Sequence, residues 1–160
     1  MRAFASILVT LAVAAAPAAA QPAATAADSA AIHALVLDYA LGWYDGAPAR
    51  MERALHPQLA KRSIARDADG RAVLAEMTVA RLMEEARSGV GRQVPATVRR
   101  TDVRILDVFG DIASVRADMH GWVDYFQVAR MDGQWKVVNV LWAMRPSDGT
   151  TRRRAAGSQP

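Results

Sequence analysis

The stretch Asp111–Trp142 reads DIASVRADMHGWVDYFQVARMDGQWKVVNVLW, and its pattern decides the fold. Ala113, Val115, Ala117 and Met119 alternate with Ser114, Arg116 and Asp118. A period of two sends successive side chains to opposite faces of a strand, so this segment has one apolar and one polar face. Asp132-Gly133 between two apolar runs is a hairpin signal, because the favoured two-residue turn needs positive φ at both positions. Upstream, Leu106 and Val108 alternate with Arg104 and Asp107, ahead of a tight turn at FGDI (109–112). The second half of the chain therefore reads as three or four strands in an antiparallel meander with one solvated face. Its last run, WKVVNVLW (Trp135–Trp142), is apolar on both faces. That run is expected at the centre of the sheet, or covered on both sides by a partner chain.

The first half has a different period. Ile32, Leu35, Val36, Tyr39 and Trp43 recur at three- and four-residue spacing, which makes one apolar face of a helix ended by Gly46. Asp28-Ser29 can cap its start. APARMERALH (47–56) reads as a short second helix with Pro48 in its first turn. His56-Pro57 is expected to close it, since a proline disfavours helical geometry at the residue before it. QLAKRSIA (58–65) and RAVLAEM (71–77) read as short extended segments around a turn at DADG (67–70). Thr78 can cap a third helix, VARLMEEARSG (79–89). The order is α+β, with helices on one face of a bent sheet.

The ends differ from the middle. Met1–Ala20 has one cation at Arg2, an apolar run and small residues up to Ala18-Ala19-Ala20. That is the layout of a secretory signal peptide, with the cut expected after Ala20. The competing reading is a membrane anchor: roughly 18 apolar residues can just span a bilayer. The many alanines and Pro17 make this run weakly hydrophobic, so no stable insertion is expected after cleavage. Residues 21–27 read as a linker, 28–146 as one domain, and 147–160 as a disordered basic tail. The expected location is periplasmic or secreted.

Composition removes several chemistries. The 160-residue chain has no cysteine, so thiol catalysis and thiolate metal sites are excluded. His33, His56 and His120 lack metal-ligand spacing, and neither a metal nor a cofactor is expected. The formal charge of +4 is misleading. Setting aside Arg2 and Arg152–Arg154 from the 20 basic residues, and Asp148 from the 16 acidic ones, leaves the domain at +1. Such a domain has no electrostatic footprint for nucleic acid.

Four segments occur in a characteristic order and spacing: DYALGWYDG (38–46), LHPQLAKR (55–62), EMTVARLMEE (76–85) and the opening stretch. Together they resemble the putative lumazine-binding family of the nuclear transport factor 2-like superfamily. The resemblance covers Asp28–Trp142. It implies a cone-shaped barrel whose strongly curved, mostly antiparallel sheet wraps a pocket closed by N-terminal helices. It also implies frequent homodimers. Relatives of this fold include isomerases, cyclases, dehydratases and binding-only proteins, and fold does not choose among them.

Within that frame Asp124 is the leading candidate. It shares a strand face with Trp122, Phe126 and Val128, so it is expected to point inward. A buried carboxylate must be paired or protonated. It reads either as an acid, base or ligand anchor, or as half of an ion pair with Lys61 or Arg62. His56 reads either as a base facing Asp124 or as a helix cap. Lys61 and Arg62 point to opposite faces of an extended segment. Arg62 is the one expected in the cavity, because its fork can hold a carboxylate at two points. LHPQLAKR is then one wall of the pocket mouth. Tyr39, Trp43 and Trp122 are expected to contact ligand, with Asn139 as a polar group in the cavity or a strand-to-loop bond.

Three functions fit these residues. The first is an exported binding or accessory protein for a small, partly aromatic or apolar ligand. The second is a cofactor-independent enzyme of isomerase, dehydratase or cyclase type, with Asp124 and His56 handling protons. The third is a dimeric interaction module with no ligand.

Overall fold

The computed structural model describes residues 25–146, so the expected signal peptide and basic tail lie outside the described residues. Helix α1 runs over Ala26–Tyr44 and helix α2 over Pro48–Ala54. Strand β1 (Leu55–Arg66) and strand β2 (Ala72–Met77) follow, then helix α3 (Val79–Ser88). Two short 3₁₀ turns, Val90–Gln93 and Ala96–Val98, lead into β3 (Thr101–Phe109), β4 (Ile112–Met119), β5 (Trp122–Met131) and β6 (Gln134–Met144).

The six strands form one sheet in the order β2-β1-β6-β5-β4-β3. All neighbours are antiparallel except β1 and β6, which run parallel. The doubly apolar run at 135–142 lies in β6, inside the sheet between β1 and β5. Asp132 (φ 51°) and Gly133 (φ 76°) make the β5–β6 turn with positive φ at both positions. Register shifts interrupt the β1–β6, β3–β4 and β5–β6 ladders. Irregularities of this kind bend strands, and here they accompany a curved sheet whose concave face holds the helices.

That concave face supplies the core. Ala113, Val115, Ala117 and Met119 of β4 are buried, as are Phe126 and Val128 of β5. They meet Ile32, Leu35, Val36 and Tyr39 of α1, the face that the helical spacing picked out. Tyr39 and Phe126 pack edge to face with ring centroids 5.1 Å apart. Polar bonds fix both ends of α1. At its C-terminal end the buried Tyr44 hydroxyl donates to Arg100 O (2.9 Å) and accepts from His120 N (2.8 Å). At its start Arg130 donates to Asp28 Oδ1 (2.6 Å) and to Asp111 Oδ1 (2.7 Å).

Two local expectations change. Thr25, not Asp28-Ser29, caps α1: its hydroxyl oxygen accepts from Asp28 N at 3.0 Å. The helix thus begins at Ala26, and the last residues assigned to the 21–27 linker belong to it. His56-Pro57 does not end α2. That helix stops at Ala54, and His56-Pro57 sits inside β1. Pro57 has no N–H for the ladder, and the β1–β6 register breaks between Leu55 and Ala60.

Gly91 shows how tightly the 3₁₀ turn packs beneath α1. A Cβ added there would lie 2.2 Å from the Trp43 carbonyl oxygen. Backbone, not a flexible side chain, would have to move. Gly91→Ala should therefore cost about 1–3 kcal/mol by overpacking, read as a lower urea midpoint with unchanged slope.

Candidate functional site

Strand parity builds the site. On β1, Leu59 is buried, so Lys61 two residues on shares its inward face. Lys61 pairs with Val140 of β6, whose side chain is buried, whereas Arg62 pairs with the exposed Leu141. Lys61 therefore enters the interior. Arg62 lies on the outer face, where it donates to Glu76 at 2.7 Å. The expectation that Arg62 reaches the cavity is corrected on that ground.

Asp124 points inward and is fully buried. Its Oδ1 accepts from Lys61 Nζ at 3.1 Å, and its Oδ2 accepts from Trp122 Nε1 at 2.9 Å. Lys61 also donates to the Tyr39 hydroxyl at 2.8 Å. Its ammonium sits 5.3 Å from the centre of the Trp142 ring. Asp124 is thus covered by its partners and does not line the neighbouring cavity, whereas Tyr39 and Lys61 do. Among the described residues, nothing accepts from the Tyr39 hydroxyl hydrogen or from the third N–H of Lys61.

The cavity measures about 230 Å³. Trp43, Trp122 and Trp142 form aromatic walls, and Met77, Leu82 and Met144 complete them. Trp43 and Trp122 meet edge to face, centroids 6.5 Å apart. Glu85 of α3 supplies the remaining charged group, on the more exposed rim, where Arg81 donates to it at 2.9 Å.

Protonation follows from burial. Burial pushes the Tyr39 hydroxyl up to about 12, with Lys61 opposing and Asp124 reinforcing the shift. Burial works against the charge of Lys61, but its contacts with Tyr39 and Asp124 outweigh that, and its pKa lies above the ordinary lysine range. Near neutral pH the corner holds an ammonium and a neutral phenol.

Tyr39, Trp43, Trp122 and Asp124 come together at this corner. His56 does not join them. Its Nδ1 accepts from Gln58 N at 3.1 Å, closing a local turn beside Pro57. Leu55 pairs with Val137, while Asp124 pairs with Trp142, five residues further along β6. That is about 16 Å of strand, too far for one water to bridge. The proton-handling pair Asp124–His56 is not assembled. Asn139 also lies elsewhere: its amide donates to Gln127 on the outer face. Lys61 takes the cavity place expected of Arg62, Trp142 is one of the aromatics that line it, and Met77, Leu82, Glu85 and Met144 join without a sequence signal that singles them out. The buried parity of Leu59 was the local signal for Lys61.

The family model described as "Putative lumazine-binding" matches residues 27–143. Among solved structures, the chain is similar to a nuclear transport factor 2-like protein of unknown function from Shewanella baltica. The two are 20% identical with a TM-score of 0.57, over 78% of this chain and 99% of that one. A counterpart from Methylobacillus flagellatus is also 20% identical, with a TM-score of 0.56 over 77% and 96%. A third, from Novosphingobium aromaticivorans and described as having a cystatin-like fold, is 15% identical with a TM-score of 0.56 over 83% and 90%. Comparison with curated proteins returned no match. At these identities the structural likeness establishes the fold alone.

Two outcomes test the corner. Asp124→Asn leaves the Lys61 ammonium buried without its counter-charge, and should cost about 3–5 kcal/mol in urea denaturation. Lys61→Met added to it should recover most of that loss; a single variant costing under about 1 kcal/mol would refute the buried pair. The pH dependence has a definite sign. Tyr39 and Lys61 both hold protons more tightly when folded, so their contribution is complete below pH 10, where the unfolded tyrosine begins to ionise. It is lost as pH rises through about 12. The denaturation midpoint should fall across that window, and Tyr39→Phe should flatten the fall.

Proposed function

The chain belongs to the "Putative lumazine-binding" family, and from that premise we propose that it is an exported small-molecule-binding or accessory protein, periplasmic or secreted, working as a homodimer. The observation that carries this reading is the cavity of about 230 Å³, walled by three tryptophans, with a buried ammonium and phenol at one corner. Ligand sites combine apolar walls with a few convergent polar groups in this way. The volume suits a flat ligand of one or two fused rings, smaller than the ~300–1,000 Å³ pockets that hold drug-sized molecules. No wall residue singles out lumazine over another flat ring.

Export is supported by the layout of Met1–Ala20. The homodimer is supported by the outer face of the sheet, where Phe109, Ile112, Tyr125 and Leu141 are 43–57% exposed. They form two apolar pairs, Phe109 with Ile112 and Tyr125 with Leu141, separated on that face by Ser114, Gln127 and Asn139, and a second copy can cover such a face. The interaction-module reading without ligand fits less well, because it expects a filled interior.

Native mass spectrometry on protein recovered from its own cell envelope tests the whole reading. The expected species is a dimer of chains beginning at Gln21, releasing a stoichiometric aromatic small molecule on denaturation. An empty monomer retaining residues 1–20 would overturn it.

A further inference from the structure

The polar corner of the cavity is one-sided in its hydrogen bonding. Lys61 offers three N–H donors, and two are engaged, by Tyr39 Oη and Asp124 Oδ1. Tyr39 Oη uses a lone pair to accept from Lys61 and keeps its own hydrogen. Both residues are more than nine-tenths buried, and both line the cavity. The acceptors that could have satisfied these hydrogens are elsewhere. Asp124 is sealed behind Lys61 and Trp122, and Glu85 stands on the rim with Arg81. A buried donor without an acceptor is costly, so the corner is completed by whatever the ligand brings.

Charge narrows that choice. Lys61 and Asp124 form a neutral pair with no exposure at Asp124. A ligand carboxylate would have to share the one buried ammonium with Asp124. A ligand amine would meet an ammonium that already holds its proton tightly. A neutral, strongly polarised oxygen suffers neither penalty.

Resting on the small-molecule reading above, we propose that the cavity selects neutral, planar aromatic ligands that present a carbonyl-type oxygen to Lys61 Nζ and Tyr39 Oη. The tryptophan walls hold the ring, and the two donors fix its orientation. The ligand class is aromatic ketones, lactams and ring amides of one or two fused rings. Carboxylates, amines and plain hydrocarbons of the same shape are discriminated against.

Four probes on one frame test this: 1-indanone, indane, 1-aminoindane and indane-1-carboxylate, each titrated by NMR against the full-length mature protein. The ketone should bind at least about tenfold more tightly than indane, the difference a hydrogen bond to a charged donor supplies. The ketone-to-indane ratio should fall most in Lys61→Met/Asp124→Asn, which removes the ammonium donor and leaves no unpaired charge, and less in Tyr39→Phe, which removes the hydroxyl donor but frees the Lys61 N–H that the hydroxyl accepts. The carbonyl stretch of bound 1-indanone should lie below its value in water, a readout that needs no variant. Equal binding of ketone and indane, tighter binding of amine or acid, or a ratio that survives both variants overturns the selectivity and leaves the pocket standing. Failure of all four probes to bind overturns the pocket and the selectivity together.

Discussion

The contact between Lys61 and Asp124 is the constraint around which the interior is arranged. Two opposite charges 3.1 Å apart attract by roughly 5 kcal/mol at an effective dielectric of about 20. Taking each from water costs several kcal/mol. The two terms nearly cancel, so the pair adds little net stability. It does fix geometry. Lys61 comes from β1, Asp124 from β5, Tyr39 from α1, and Trp122 reaches back to the second carboxylate oxygen. One buried ion pair thus ties the helix to two strands that are not neighbours, across β6.

The sheet makes that convergence possible. Its irregular ladders bend it around α1, and the parallel β1–β6 pairing brings the first strand beside the last. Without that pairing Lys61 would have no route to Asp124. Tyr44 and Arg130 pin the two ends of α1 to the β4–β5 end and to the Asp111 turn. Tyr39, between those two anchors, is therefore presented at a set depth. The cavity lies between α1, α3 and the β2-β1-β6-β5 part of the sheet.

The fold was legible because its signals are local and repeated. Alternation in β4, the Asp132-Gly133 turn and the three- and four-residue spacing in α1 each depend on near neighbours. The site was less legible because one misplaced residue inverts a face. Asn139 follows Trp135 and Val137 at even spacing, and both of those are buried, so simple alternation sends it inward. The register shift between Gln127 and Val128 against β6 reverses the phase, and Asn139 turns outward while Val140 turns in. Nothing in VVNVLW announces that shift. Lys61 and Arg62 posed the opposite case. The buried parity of Leu59 selects Lys61, whereas the geometric match of a guanidinium fork to a carboxylate points to Arg62. His56 drew interest because a proline fixes it. Its role comes from the same proline: Pro57 interrupts the ladder, and the imidazole takes up the N–H of Gln58.

A site of this construction has a reason to use lysine paired with aspartate, not lysine alone. A lone buried ammonium would shed its proton and become a weak donor. Tyr39 and Asp124 keep the proton on Lys61, and Trp122 keeps Asp124 from needing another partner. The Tyr39 phenol, with its pKa pushed to about 12, stays protonated over the same range. Apolar residues of similar volume would serve stability as well or better. What they would not provide is a pair of permanent hydrogen-bond donors facing an aromatic cavity at no net charge.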